Sequence, residues 1–532
     1  MTVPANPVLT QVFKNRFAAI AEEMGITLNR TAFSPNIKER RDFSCAIFDS
    51  NGDMIAQAAH IPVHLGSMPL SVKSVIEAIV MNPGDMVMLN NPFQGGTHLP
   101  DITLVAPVFA GESTPTFYVA NRAHHADVGG ITSGSMPLST SIFQEGLIIP
   151  PLKLVKDGQI DAGLMQFMLA NVRTPQEREG DFAAQVMANH IGVQRFVELV
   201  DKYGLETVCA YATHLNHYAE TMMRASITEI PNGRYVYEDF LDDDGFSGEK
   251  IRIAVNVAIQ DSDAVIDFAG SDLQVIGSVN AVYAITLSAV LYVFRCLVND
   301  DIPTNAGCLR PLKVMTPSGS IVDACFPAAV AGGNVETSQR IVDVVLGALA
   351  KALPQRIPAA SQGTMNNTTI GGVDEQRNLP FAYYETLGGG TGASAKGAGV
   401  SAVHSHMTNT LNTPIEALEY SYPFQVTEYS IRTGSGGRGQ FDGGSGLIRE
   451  IRMLSAAEVT VLSERRRLAP YGLNRGQPGQ PGRNTIIRGC LEQVMPGKFS
   501  ERLQKGDLLR IETPGGGGYG LTDGQDQTQK EP

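Results

Sequence analysis

A chain of 532 residues exceeds what one ordinary hydrophobic core organises, so two to four packed structural units are expected. With 43% hydrophobic and 18% charged residues, its balance is that of a folded soluble protein and excludes wholesale disorder. A formal net charge of -13 and no basic run longer than residues 465–467 argue against a nucleic-acid-binding face, and six scattered cysteines without a C-x-x-C pair argue against a disulfide framework or thiolate zinc site.

The N-terminal stretch has no charged segment leading into an apolar run, and no later run reaches bilayer length. The sequence therefore reads as a cytoplasmic protein with neither membrane nor nucleic-acid partners. Residues 8–29 place Val8, Val12, Phe13, Phe17, Ile20, Ala21 and Met24 at helical spacing, predicting an amphipathic helix that ends near Gly25. "CAIFDSNGDMIAQ" reads as strand, Asn51-Gly52 turn, strand. "SMPLSVKSVIEAIVMNPGD" reads as a helix with Ser67 as cap, Pro69 in its first turn and a Pro-Gly stop.

From Asp85 to Arg122 the pattern becomes the short β runs "MVMLN", "ITLVAPVF" and "TFYVANR", which puts the polar residues between them at strand ends. Residues 179–226 have helical period broken at Gly204; "YVYEDF", "IRIAVNVAI" and "DAVIDFAGS" return to strands. "SQRIVDVVLGALAKAL" is a further helix, capped by Ser338 or Thr337. Glycine-rich segments and strands complete the chain. The class is α+β, multi-unit, with mixed and antiparallel sheets and packed helices. The expected division is an α+β unit at 1–175, a helical unit at 176–230, a strand-rich region at 231–520 with glycine-rich loops, and a disordered tail at 521–532.

Five of the ten histidines, His60, His64, His98, His124 and His125, lie close together with Asp42, Asp101 and Asp127. Imidazole with carboxylate is the ligand set of catalytic zinc, manganese or iron sites. In His98-Leu99-Pro100-Asp101 the proline fixes the turn, so the two side chains either converge on one point or simply satisfy local backbone. If "TFYVANR" runs as a strand into "AHHAD", His124 and His125 point to opposite faces, and one of them shares a metal with His98 while the other is free for acid/base work.

The remaining motifs have plainer readings. His60-x-x-x-His64 contains a proline and reads as loop, and His404-Ser405-His406 as a polar pocket wall. Residues 388–399 include Lys396 but lack phosphate-loop spacing, and they read as backbone in close approach. No nucleophile elbow is present, Cys45 reads as core, and residues 465–467 as a solvated or interface cluster, or a grip on an anion.

Six ordered blocks, "RTAFSPNIKERRDFSCAIFD", "NNPFQGGTHLPDITLV", "NRAHHADVGG", "EGLIIPP", "GGNVETSQR" and "ETPGGGGYG", resemble the B subunit of the hydantoinase/5-oxoprolinase family across residues 8–520. The resemblance implies a partner A-type chain that carries the ATP and magnesium site, in an (αβ)2 heterotetramer, and a small cyclic amide substrate: a hydantoin, 5-oxoproline or a lactam. It implies a divalent metal, zinc first and manganese or iron as alternatives, held by Asp42, His98, Asp101 and His124. It further implies activation of the amide oxygen by ATP on the partner, with Lewis-acid chemistry here and His125 or Asp127 moving protons. Acetone and acetophenone carboxylases resemble the chain more distantly, so a ketone carboxylase subunit is the alternative; those chains are longer, and the present length favours the hydrolase.

Overall fold

The first element forms where the sequence offers a complete start signal. In this computed structural model, which describes residues 6–58, 61–299 and 301–522, Asn6 accepts from Val8 N at 2.9 Å and Leu9 N at 3.3 Å, and Pro7 opens the helix Pro7–Thr31. The helix runs past Gly25, where the spacing predicts its end. Gly25 lies on the buried face with Phe17, Met24 and Leu28, and that packing outweighs the cost of about 1 kcal/mol for a helical glycine. The face meets the helix Pro175–Tyr203, where Gly192 leaves room for Met24: a Cβ there would lie 2.5 Å from the thioether sulfur.

These helices cover one side of a seven-stranded antiparallel sheet. Its strands are β1 (Phe43–Asp49), β2 (Met54–Gln57), β3 (Met86–Leu89), β4 (Asp101–Val108), β5 (Phe117–His124), β6 (Leu152–Lys156) and β7 (Gln159–Ile160), in spatial order β2-β1-β5-β4-β3-β6-β7. The predicted hairpin is β1–β2, with Asp49 Oδ1 accepting from Asn51 N and Asp53 N at 2.9 Å across the turn. The strand period of two feeds two cores. Ile102, Leu104, Ala106 and Val108 join the core of the two long helices, while Val105 joins Val72 and Val75 of the helix Ser67–Ala78 on the other side. Ser67 is the first residue of that helix rather than its cap, because its Oγ is engaged by Arg122 Nη1 at 2.6 Å.

The helices Pro175–Tyr203 and Leu205–Thr228 break at Gly204, as the sequence predicts. A four-stranded sheet follows, in order Leu312–Met315, Asp263–Asp267, Ile251–Gln260 and Gly233–Leu241, with its first pair parallel. The helix Ser338–Ala350 packs on it and is buried at every position. Thr337, one of the two expected caps, holds the N-cap position but makes no side-chain cap hydrogen bond, and Ser338 is the first helical residue. A π-helical turn, Gly333–Thr337, precedes it, Thr337 is already helical, and its Oγ donates to Val279 O instead.

Two further antiparallel sheets close the chain around a second core that includes Ile370, Phe424, Val459 and Leu509. The architecture is α+β with mixed and antiparallel sheets, and the larger core runs continuously from Phe13 to Leu462. Arg465 faces inward, unlike the solvated cluster the triplet suggests: Nη2 lies 2.6 Å from Asp343, which is fully buried, and 2.7 Å from the partly buried Asp239, and these two carboxylates need a cation. Among the described residues no helix is long and apolar enough to cross a membrane. His60 and all but the first two residues of the expected tail lie outside the described residues.

Candidate metal centre

Asp101 is the first residue of β4 and His124 the last of β5, and the antiparallel register makes them direct partners. Directly opposed residues put their side chains on the same face, so carboxylate and imidazole meet at one end of the sheet. His98 arrives from the loop before β4. Asn90 pins that loop, donating from Nδ2 to Leu99 O at 2.8 Å and Leu147 O at 2.9 Å and accepting from Ile149 N at 2.7 Å. Gly95, at φ +87°, lets the loop pass over the helix Ser67–Ala78; a Cβ there would lie 2.4 Å from the Leu70 carbonyl carbon.

The result is a compact triad. His98 Nε2 lies 3.2 Å from His124 Nδ1 and 3.2 Å from Asp101 Oδ2, and His124 Nδ1 lies 3.3 Å from Asp101 Oδ1. All three side chains are buried. Two ring nitrogens that face one another across such a gap share at most one proton. The separations match the edge of about 3.3 Å expected for a tetrahedron with metal–ligand bonds of about 2.0–2.1 Å. The donor set and its spacing therefore fit a divalent zinc, manganese or iron ion and leave a position open.

Burial and neighbouring charge act on Asp101 and His124 in opposite directions. Burial works against the Asp101 carboxylate, but His98 and His64 outweigh it and hold its pKa well below the usual range. Burial lowers the pKa of His124, against its contact with the accepting Asp101 carboxylate, and so favours the neutral ring.

Asp42 precedes β1, and its carbonyl accepts from His124 N at 3.0 Å. Its side chain lines, with Asp101 and His124, a cavity of about 20 Å³, roughly one water molecule, but stands outside the triad; burial raises its pKa. His125 turns the other way, as strand alternation predicts: Nε2 lies 2.9 Å from Gln185 Oε1 and the ring packs on Phe182. Asp127 accepts from Gly129 N at 2.7 Å and pairs with Arg173 at 3.2 Å. Neither His125 nor Asp127 is among the residues lining the cavity. His406 Nδ1 lies 3.4 Å from the Tyr292 hydroxyl, and neither it nor His404 belongs to the triad.

Two residues at the site carry more than the sequence reading gives them: His64, counted in the histidine cluster but read as loop, and Asn334. His64, in the turn Pro62–His64, places Nε2 3.3 Å from Asp101 Oδ2 and Nδ1 2.8 Å from Ser44 Oγ. Its position depends on the helix Tyr283–Leu297, whose Ser288 Oγ accepts from Gly66 N at 3.0 Å, so no local spacing signals it. Asn334 places Nδ2 3.1 Å from His98 Nε2; it sits in the block "GGNVETSQR", which on its own carries no ligand pattern.

Residues 6–522 match the family model described as hydantoinase B/oxoprolinase. The chain is 43% identical to the 5-oxoprolinase of Dictyostelium discoideum over 98% of its own length, and it spans only 41% of that relative. Among solved structures, the ATP-dependent caprolactamase from Pseudomonas jessenii shares the fold at a TM-score of 0.91 and 29% identity, over 98% of this chain and 92% of that one. A nucleotide-free acetone carboxylase shares the fold at a TM-score of 0.90 and 18% identity, over 97% of this chain and 76% of that one. The chain belongs to the hydantoinase B/oxoprolinase family.

Proposed function

We propose that this chain is the metal-holding part of an ATP-dependent cyclic amidohydrolase that opens a hydantoin, 5-oxoproline or lactam ring, with ATP used on an A-type partner. The observation that carries the reading is the convergence of His98, Asp101 and His124 at one buried point. The caprolactamase likeness supports a cyclic amide substrate, and the part of the oxoprolinase relative that this chain does not span supports a second component. The glycine-rich segment supports placing ATP elsewhere, since its backbone is in close approach to other backbone: a Cβ on Gly390 would lie 1.9 Å from Gly444 O. A cytoplasmic (αβ)2 assembly is the arrangement we propose.

A zinc, manganese or iron ion held by His98, Asp101 and His124, with Asp42 beside them, would supply Lewis-acid polarisation of a carbonyl and acidify water. The protein's own groups prepare that point. Thr97 Oγ donates to Asp101 Oδ2 at 2.5 Å and, with His64, fixes the carboxylate. Tyr384 stacks on the His124 ring at 4.2 Å between centroids and, with Met365 and Met407, limits water. The hydroxyls of Thr386, Thr408 and Thr410 line the cavity as a bonded group, Thr386 to Thr410 at 2.9 Å and Thr408 to Thr410 at 3.3 Å, and Arg40 Nη2 donates to Thr386 Oγ at 2.9 Å. Asp42, whose pKa burial raises against the pull of His124 and Arg40, is the further carboxyl lining the cavity, while His125 acts as a support through Gln185, which donates to Ile102 O at 2.9 Å.

The test is co-expression with an A-type chain and an ATP-dependent screen over hydantoins, 5-oxoproline and lactams, with metal analysis. We expect ring opening that is lost together with the metal in His98→Ala. Full activity in a metal-free variant would overturn the reading, and fixation of bicarbonate into a ketone without ring opening would replace it with the carboxylase alternative.

A further inference from the structure

The turn that carries Asn334 is wound as a π-helix, Gly333–Thr337, ahead of the buried helix Ser338–Ala350. Widened turns of this kind are uncommon and concentrate at functional sites. This one is seated firmly. Gly333 N donates to Ser278 O and Val330 O, both at 3.0 Å, and Ser338 Oγ donates to the Asn334 carbonyl at 2.7 Å. A Cβ on Gly333 would lie 1.9 Å from Asn280 O, so only glycine lets the turn sit this deep.

The depth brings the Asn334 side chain, 4% exposed, to the triad. One end of its amide lies 3.1 Å from His98 Nε2, the ring atom that also faces His124 Nδ1 and Asp101 Oδ2 at 3.2 Å. The other end, Oδ1, is buried without a hydrogen-bond partner among the described residues. An amide has one donating and one accepting end, and a half-turn of the group exchanges them. At a point where two imidazoles and a carboxylate offer electron pairs to a cation, an N–H is repelled and a carbonyl oxygen adds another donor. Borderline and hard divalent ions accept such an oxygen.

We propose that Asn334 is a metal ligand: turned with Oδ1 toward His98, it adds a neutral side-chain oxygen to His98, Asp101 and His124, alongside Asp42. The inference rests on the reading of the triad as a metal centre. A neutral donor adds no further negative charge to that of the carboxylates already at the site, which suits Lewis-acid work.

The test is cobalt(II) titration of the intact protein, read by affinity against a chelator and by the visible spectrum of the bound ion, for the wild type, Asn334→Ala, Asn334→Asp and His98→Ala. Asn334→Ala is expected to weaken cobalt binding about ten- to a hundredfold and to change the spectrum. Asn334→Asp keeps the shape and supplies an oxygen, and it is expected to bind at least as tightly as the wild type. If Asn334→Ala does not fold, the isosteric variant decides. Wild-type affinity and spectrum in Asn334→Ala, or weakened binding in Asn334→Asp, would overturn the inference while His98→Ala still loses the metal. Cobalt held as tightly in His98→Ala as in the wild type would overturn the metal-centre reading and this inference with it.

Discussion

His98 Nε2 and His124 Nδ1 lie 3.2 Å apart across 26 positions of sequence, each against an oxygen of the same carboxylate, Asp101. The backbone brings this about. β4 and β5 pair Asp101 with His124, and the pinned loop before β4 folds His98 back over the pair.

Adjacent histidines on opposite faces should then behave oppositely. His124→Ala is expected to lose the bound metal, whereas His125→Ala, which removes only a bond to Gln185 and packing on Phe182, should keep stoichiometric metal with lowered stability. Metal content of the two purified variants checks this, and metal loss in His125→Ala but not in His124→Ala would reverse the assignment.

His64 should act through Asp101. Its Nε2 and Thr97 Oγ both address Asp101 Oδ2, so His64→Ala frees the carboxylate to rotate, and metal affinity is expected to fall about ten- to a hundredfold. Chelator competition measures it. An unchanged affinity would show that Thr97 alone suffices.

Much of this arrangement is legible in the sequence because it follows from local rules. The period of two in "TFYVANRAHH" separates His124 from His125, and the Asn51-Gly52 turn and the break at Gly204 mark their elements directly. What is not legible depends on distant packing. His64 is set by a helix more than two hundred residues on, and Asn334 meets His98 across 236 positions. Arg465 reads as a surface charge until the sheet beneath it supplies Asp239 and the helix supplies Asp343.

That buried pairing makes Arg465 a stability determinant. Arg465→Ala would leave Asp239 and Asp343 with Arg340 alone, at 3.7 Å and 3.5 Å, and truncating one member of a buried ionic network costs about 3–5 kcal/mol. Urea unfolding should show a loss of this order. A loss below about 1 kcal/mol, the value typical of exposed pairs, would mean that the network is solvated.

Glu145 should give the fold a pH dependence of its own. Burial pushes its pKa from 4.5 up to about 7, against bonds to its Oε1 from Ala331 N at 3.0 Å, Ser139 Oγ at 2.8 Å and Val330 N at 2.8 Å. The folded state holds this proton after the unfolded chain has released it. The contribution to stability is therefore complete below pH 4.5, falls as pH rises toward about 7, and is flat above. The shift corresponds to on the order of 3 kcal/mol. Glu145→Gln keeps the accepting oxygen and cannot ionise, so its stability relative to the wild type should increase steadily across that window. Unfolding free energies of both proteins at intervals from pH 4 to 8 test this. Parallel curves would show that the Glu145 carboxyl reaches water in the folded state, and would detach it from the support of the Val330–Ala331 segment that leads to Asn334.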